Sequence, residues 1–285
     1  MFRKGQVTLL LVAVILVLGL VGVAQAQTAS KTFYWNRLDV DITVLPNSDM
    51  RIVETWQATF TSGTFTFAYR DIPMERVTDI TDLAVSEGTQ KFGYGALAGD
   101  YQFLASPSEG KMNLKFFFPP TSDSTHTYTL SYTVKGGLRF YPGGDQVWWK
   151  AVFADRVFPV NASTVTVNLP EGATADVVAS YGAPAKYDIV SRQKVVFTAQ
   201  GPIPGGHELE VRVQFPHGIV KGTAAPWQAI EDVKPNVARL PAPCPLLPVL
   251  LTFFFLGKQQ PGQRIAQPAP VMDFVPAAVH RQQDE

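Results

Sequence analysis

The sequence predicts an all-β protein: an antiparallel β-sandwich, built as one large or two packed immunoglobulin-like sandwiches. An N-terminal signal helix precedes it and a disordered C-terminal tail follows. Three observations carry this. Apolar and polar residues alternate with a period of two through several segments of strand length. The chain holds 22 Gly and 22 Pro in 285 residues, enough to punctuate many short strands. No stretch of the body repeats apolar residues at helical spacing.

The first 26 residues stand apart. Arg3 and Lys4 precede an uncharged run of 17 residues from Val7 to Val23, and Ala24-Gln25-Ala26 follows. This is the layout of a secretory signal peptide cleaved after Ala26. The run is also just long enough to stay as an uncleaved anchor. In both cases the rest of the chain is expected outside the cytoplasm.

Three strands open the body. Leu38, Val40, Ile42 and Val44 alternate with polar neighbours, and Leu45 to Asp49 make a turn. Met50 to Phe60 return as the second strand, with Glu54 in phase with Ile52, Trp56 and Phe60. Ser62-Gly63 turn into the third, where Phe65, Phe67 and Tyr69 are expected on one face. Pro73 cannot donate to a ladder, so pairing is expected to stop before it, with Arg70 and Asp71 at its end. Glu54, on a mostly apolar face, needs a partner, and Arg70 is the candidate. The plainer alternative is that Arg70 and Asp71 form a surface pair of little worth. In either case Glu54, Arg70, Asp71 and Pro73 read as architecture rather than chemistry.

Further strands are expected at Val77 to Val85, Tyr101 to Leu104, Lys111 to Phe118 and Thr125 to Val134, with a loop from Gly88 to Gly99. A turn at Phe140 to Asp145 leads into Gln146 to Phe153. Ser163 to Leu169, Lys194 to Thr198 and Leu209 to Phe215 complete the pattern. The expected organisation is residues 1–26 as signal, 27–154 and 155–221 as two halves of the sandwich, and 222–285 as linker, weak hydrophobic segment and tail. In that last part Leu246 to Leu256 is only 11 residues and contains Pro248. A helical span needs about 20 apolar residues. The alternatives there are a secreted protein or a short segment touching the membrane interface.

Composition narrows the function. Twenty-four basic and 24 acidic residues balance, which leaves no basic excess for nucleic acid. The single cysteine, Cys244, permits no internal disulfide. His126, His207, His217 and His280 are scattered without metal-ligand spacing, and no nucleophile elbow or phosphate loop occurs. No catalytic residue, metal ligand or cofactor is therefore assigned. Asp39 and Asp41 share a strand face but read as solvated charges. Trp148 and Trp149 are adjacent on a strand, so at most one enters the core. The other packs against a second layer or, with Tyr141, offers a platform for a sugar or a partner.

Three pieces of the chain resemble domain-of-unknown-function family 2207, a family of bacterial and archaeal membrane proteins. They are Asp39-Val40-Asp41-Ile42 with the strand ending near Val53-Glu54; Tyr69-Arg70-Asp71-Ile72-Pro73; and Val147-Trp148-Trp149-Lys150 with Phe158-Pro159-Val160 and Val165 to Pro170. The closing Val211 to Pro216 with Gly218 also fits. The resemblance covers about residues 30–221. It implies a signal peptide, an extracytoplasmic β domain, then transmembrane helices and a cytoplasmic tail, and it implies no activity. The expectation is thus an exported, membrane-associated, non-enzymatic envelope protein with an unidentified protein or cell-wall glycan partner. The alternatives are a carbohydrate- or cell-wall-binding module and an envelope hydrolase with paired carboxylates.

Overall fold

The computed structural model describes residues 31–95 and 99–237. The expected signal peptide and the segment Leu246 to Leu256 lie outside the described residues.

Five strands form the centre. β1 (Thr32–Val44), β2 (Met50–Ser62), β3 (Phe65–Pro73), β8 (Lys111–Thr121) and β9 (Ser124–Lys135) each run nine residues or more. Between them lie β4 (Asp79–Glu87), the two-residue β5 (Gln90–Lys91) and β6 (Gly93–Tyr94), and β7 (Gln102–Ser108). After them come β10 (Asp145–Val152), β11 (Val160–Ala162), β12 (Thr164–Asn168), β13 (Val177–Gly182), β14 (Ala185–Ser191), β15 (Lys194–Ala199) and β16 (Leu209–Phe215). A helix, α1 (Pro226–Val237), closes the described chain.

Three sheets result. The largest has nine strands in the order β14-β15-β12-β1-β2-β9-β4-β5, with β11 also paired to β1. The second has the order β3-β8-β7-β6 and the third β10-β16-β13. All-β architecture with antiparallel sheets packed face to face follows. The exceptions are the parallel pairings of β1 with β11 and β12, and of β6 with β7. Parallel pairing of β1 with β12 needs a long connection, and more than 100 residues separate the two.

The core lies between the large sheet and the two smaller ones. Leu38, Val40 and Ile42 of β1, Ile52 and Trp56 of β2, and Tyr128, Leu130 and Tyr132 of β9 are buried on its inner face. Met112, Leu114, Phe116 and Phe118 of β8 face them from the second sheet. Contacts such as Phe118 stacked on Tyr128 at 5.1 Å, and Trp56 against Phe116 at 6.2 Å, join the layers. Val147, Val211 and Val213 of the third sheet belong to the same core. Strands from both sides of residue 155 share sheets: β12 pairs with β1, and β16 with β10. The two halves are interleaved rather than set side by side.

Several local expectations differ from the structure, among them the loop expected from Gly88 to Gly99, which holds the short strands β5 and β6. β3 does not stop before Pro73, which pairs with Lys111, and Arg70 and Asp71 sit in the ladder opposite Leu114 and Asn113. Pro73 is tolerated because it is the last residue of a strand at a sheet edge. An irregularity between Phe65 and Phe67 shifts the register, so the face changes within the strand. Arg70 and Ile72 become the buried residues, while Tyr69 is 60% exposed. Strands β13 and β14 carry no clear alternation and go unmarked in the sequence. Helix α1 falls where a linker is expected. It is docked by polar contacts instead of an apolar stripe: Gln228 accepts from Phe140 N (2.9 Å) and donates to Phe140 O (2.8 Å). Trp227 Nε1 donates to Gly136 O at 2.8 Å.

Candidate functional site

Glu54 is one of two carboxylates with no exposed surface among the described residues, the other being Asp145. Glu54 points from β2 into the core. Arg70 reaches it from β3 across the layer, its Nε donating to Oε1 at 3.1 Å and Oε2 at 3.2 Å. Tyr132 Oη donates to Oε1 at 2.6 Å, and Trp56 Nε1 to Oε2 at 2.9 Å. The carboxylate is thus saturated by neighbours, as a buried ion must be. Arg70 Nη1 donates to Asp71 O at 2.6 Å, and its guanidinium lies 4.1 Å from the centre of the Phe153 ring. Burial works against the Arg70 charge, but Glu54, Tyr132 and Asp155 together outweigh it and hold the pKa above the ordinary value. Burial first, then Glu54, pushes the Tyr132 phenol well above its ordinary range. Arg70 and Tyr132 therefore both hold their protons more tightly than in water. Together with Glu54 and Trp56 they tie β2, β3 and β9 across the core.

Arg70 has a second side. With Pro73, Trp149 and Phe153 it lines a cavity of about 270 Å³. The mouth carries Lys111 and Lys150 with Asp155 and Glu208. Lys150 Nζ lies 2.9 Å from Glu208 Oε2, and Lys111 Nζ lies 3.9 Å from Asp155 Oδ2. The cavity therefore has an aromatic and cationic wall and a rim of balanced charge.

The two tryptophans divide as adjacent strand residues must. Trp149 packs against the core side and lines the cavity, and its indole N–H, like that of Trp148, is buried without a hydrogen-bond partner among the described residues. Trp148 also contributes to the lining and is half-buried. It stacks on Tyr181 at 5.5 Å and 22°, with Arg139 at 4.5 Å and Arg212 at 5.4 Å from the ring centre. Tyr141 is not brought to the cavity. Its hydroxyl donates to Asp232 Oδ1 of α1 at 2.9 Å, and burial, then this bond, raises its pKa. Asp71 alternates away from Arg70 and remains half-buried. Asp39 accepts two bonds from Arg37 and one from Thr164 N, so it is no free member of a pair with Asp41.

Sequence reasoning missed Phe153, Lys111, Lys150, Asp155 and Glu208. They converge through the register of β10 on β16 and the placing of β8 beside β3, and no local spacing announces that. Among the described residues no three potential metal ligands converge, and no helix is long and apolar enough to cross a membrane.

No curated protein matches the chain. Among solved structures, the chain is similar to native leukotriene A4 hydrolase from Saccharomyces cerevisiae. The identity is 12% and the TM-score 0.44, over 67% of this chain and 31% of that one. It is similar also to an M1 zinc metallopeptidase from Deinococcus radiodurans, at 14% identity and a TM-score of 0.40 over 64% and 43%. The chain thus spans less than half the length of either. The family described as predicted membrane protein (DUF2207) N-terminal domain matches residues 34–215, and the chain belongs to it.

Proposed function

We propose that this chain is an exported, non-enzymatic binding or assembly domain, held at the extracytoplasmic face of a membrane, whose ligand enters the cavity beside Arg70. The observation that carries the binding part is the cavity wall formed by Trp149, Phe153 and Arg70. A concave site with aromatic walls and a few polar groups is the ordinary form of a small-ligand site. The acids nearest its mouth support the non-enzymatic part. Glu208 is ion-paired with Lys150, Asp155 lies 3.9 Å from Lys111 and Glu54 is saturated, while Glu75 and Glu210 are the lining acids outside these pairs. Membrane association rests on the family, whose members are predicted membrane proteins.

A cell-wall glycan fragment is the ligand class that Trp149 favours. Its ring and that of Phe153 on the cavity wall offer apolar aromatic faces on which a sugar ring can stack. The test titrates peptidoglycan fragments and plain oligosaccharides into the purified chain and follows tryptophan emission. A saturable change that disappears in Trp149→Ala supports the reading. A flat response across both sets contradicts the glycan assignment. Turnover of any fragment, lost in Asp155→Asn or Glu208→Gln, contradicts the non-enzymatic one.

A further inference from the structure

The large sheet ends on a strand that is hardly protected. Among the described residues β14 pairs with β15 on one side only, and six of its seven residues are exposed. Tyr187 is 48%, Ile189 53% and Val190 61% exposed. Tyr187 and Ile189 stand opposite Phe197 and Val195, two core residues of β15, so they continue the core face of the sheet beyond its covered part. An open edge of this kind invites another strand.

The hydrogen-bond phase of the edge can be read from its flank. Gln200 N donates to Pro184 O, while Ala199 N donates away from β14, to Ser163 O. With Lys186 opposite Thr198 and Asp188 opposite Val196, alternation directs the main-chain groups of Lys186 and Asp188 toward β15. Those of Ala185, Tyr187 and Ile189 point outward, free to pair.

An edge lysine usually guards against addition. Here the guard carries its own complement two residues along the same face, Asp188. Two copies set antiparallel about a two-fold axis at Tyr187 place Lys186 of each copy opposite Asp188 of the other. The same arrangement puts the two Tyr187 main chains in an exchanging pair and sets Ala185 against Ile189. Shifting the axis one residue either way sets Asp188 against Asp188, or Lys186 against Lys186. Like charges directly opposite are destabilising, so the charges select one register.

We infer that β14 is a self-association edge, and that two copies of this chain join their large sheets through it in the Tyr187-centred antiparallel register. The contact is isologous, as a two-fold interface must be. It is one strand wide, smaller than the roughly 1,200–2,000 Å² of a stable interface. The dimer is therefore concentration-dependent, and confinement to a membrane favours it. This inference does not rest on the ligand reading, since the cavity is lined by none of these residues.

The test uses the full chain in detergent with Cys244→Ser, which leaves no native thiol. Tyr187→Cys in that background sets two thiols across the axis, where Cα atoms of an exchanging pair lie about 5.5 Å apart, within disulfide reach. Mild oxidation is expected to give a covalent dimer. Lys91→Cys, exposed at the opposite end of the same sheet, is expected to give none. Adding Lys186→Glu lowers the Tyr187→Cys yield at least about five-fold, and adding Asp188→Lys to that restores it. Restoration separates a paired register from damage to the fold. Absence of the dimer, equal cross-linking from Lys91→Cys, indifference to Lys186→Glu, failure of the double exchange to restore, or cross-linking to a different polypeptide each overturns the inference.

Discussion

Arg70 Nε sits 3.1 Å from Glu54 Oε1, and the two side chains are 2% and 0% exposed. The pair bridges β2 of the large sheet and β3 of the second, so it ties the layers at the point where the cavity begins. Buried pairs of this kind contribute little net stability relative to a well-packed apolar pair, yet breaking one is costly. Arg70→Ala should therefore destabilise the domain by about 3–5 kcal/mol, through the carboxylate left behind. Glu54→Gln with Arg70→Met should cost much less than the sum of the single changes. Urea denaturation of the four proteins measures both.

The same cluster sets an alkaline limit. Tyr132 has a folded-state pKa raised well above 10.0, and Tyr128 is likewise raised by burial and then by Glu87. The unfolded chain releases these protons first as pH rises. The stability they hold is complete below about pH 10 and declines above it. Tyr132→Phe should flatten that decline, though it removes a bond to Glu54 and lowers stability at neutral pH. Denaturation midpoints across pH 8 to 11 (a range chosen about the ordinary tyrosine value) show whether the slope falls.

Helix α1 should be held by one residue above others. Gln228 is 2% exposed and satisfies both main-chain groups of Phe140. Gln228→Ala strands those groups and should cost about 1–3 kcal/mol. Hydrogen exchange at Phe140 and along α1 should accelerate together, while exchange in β2 and β9 stays slow.

The two tryptophans should separate by readout. Trp148→Ala removes a ring stacked on Tyr181 beside Arg139 and Arg212, so it should lower stability by about 1–3 kcal/mol and weaken ligand binding less than Trp149→Ala does. Trp149→Ala should abolish the ligand-induced emission change. Equal loss of binding in both variants would point to a general loss of structure.

How much of this was legible beforehand depends on what a strand shows to the core. β1, β2, β8, β9 and β16 bury alternate residues over long runs, and period-two reading finds them. β3 reads correctly as a strand but with the wrong inner face, because the irregularity after Phe65 is a pairing event with β8 and leaves no local mark. β13 and β14 escape because edge strands that bury little need no alternation. α1 escapes because Gln228 and Trp227 dock it through hydrogen bonds, and the exposed Ile230 and Val233 break any simple apolar stripe. Glu54 is conspicuous in sequence as a charge in phase with Ile52 and Trp56. The cavity is not conspicuous, since Lys111, Phe153 and Glu208 meet only through registers set elsewhere in the fold.

The most direct test of the central claim is where the domain stands relative to the membrane. A single cysteine at Lys91, in the full chain with Cys244→Ser, is labelled on intact cells with a membrane-impermeant maleimide, and membranes are then washed with alkaline carbonate. Labelling without lysis, with the labelled chain retained in the washed pellet, is the predicted result for an exported domain held at the outer face. Labelling only after lysis, or release of the labelled chain into the wash, would contradict it.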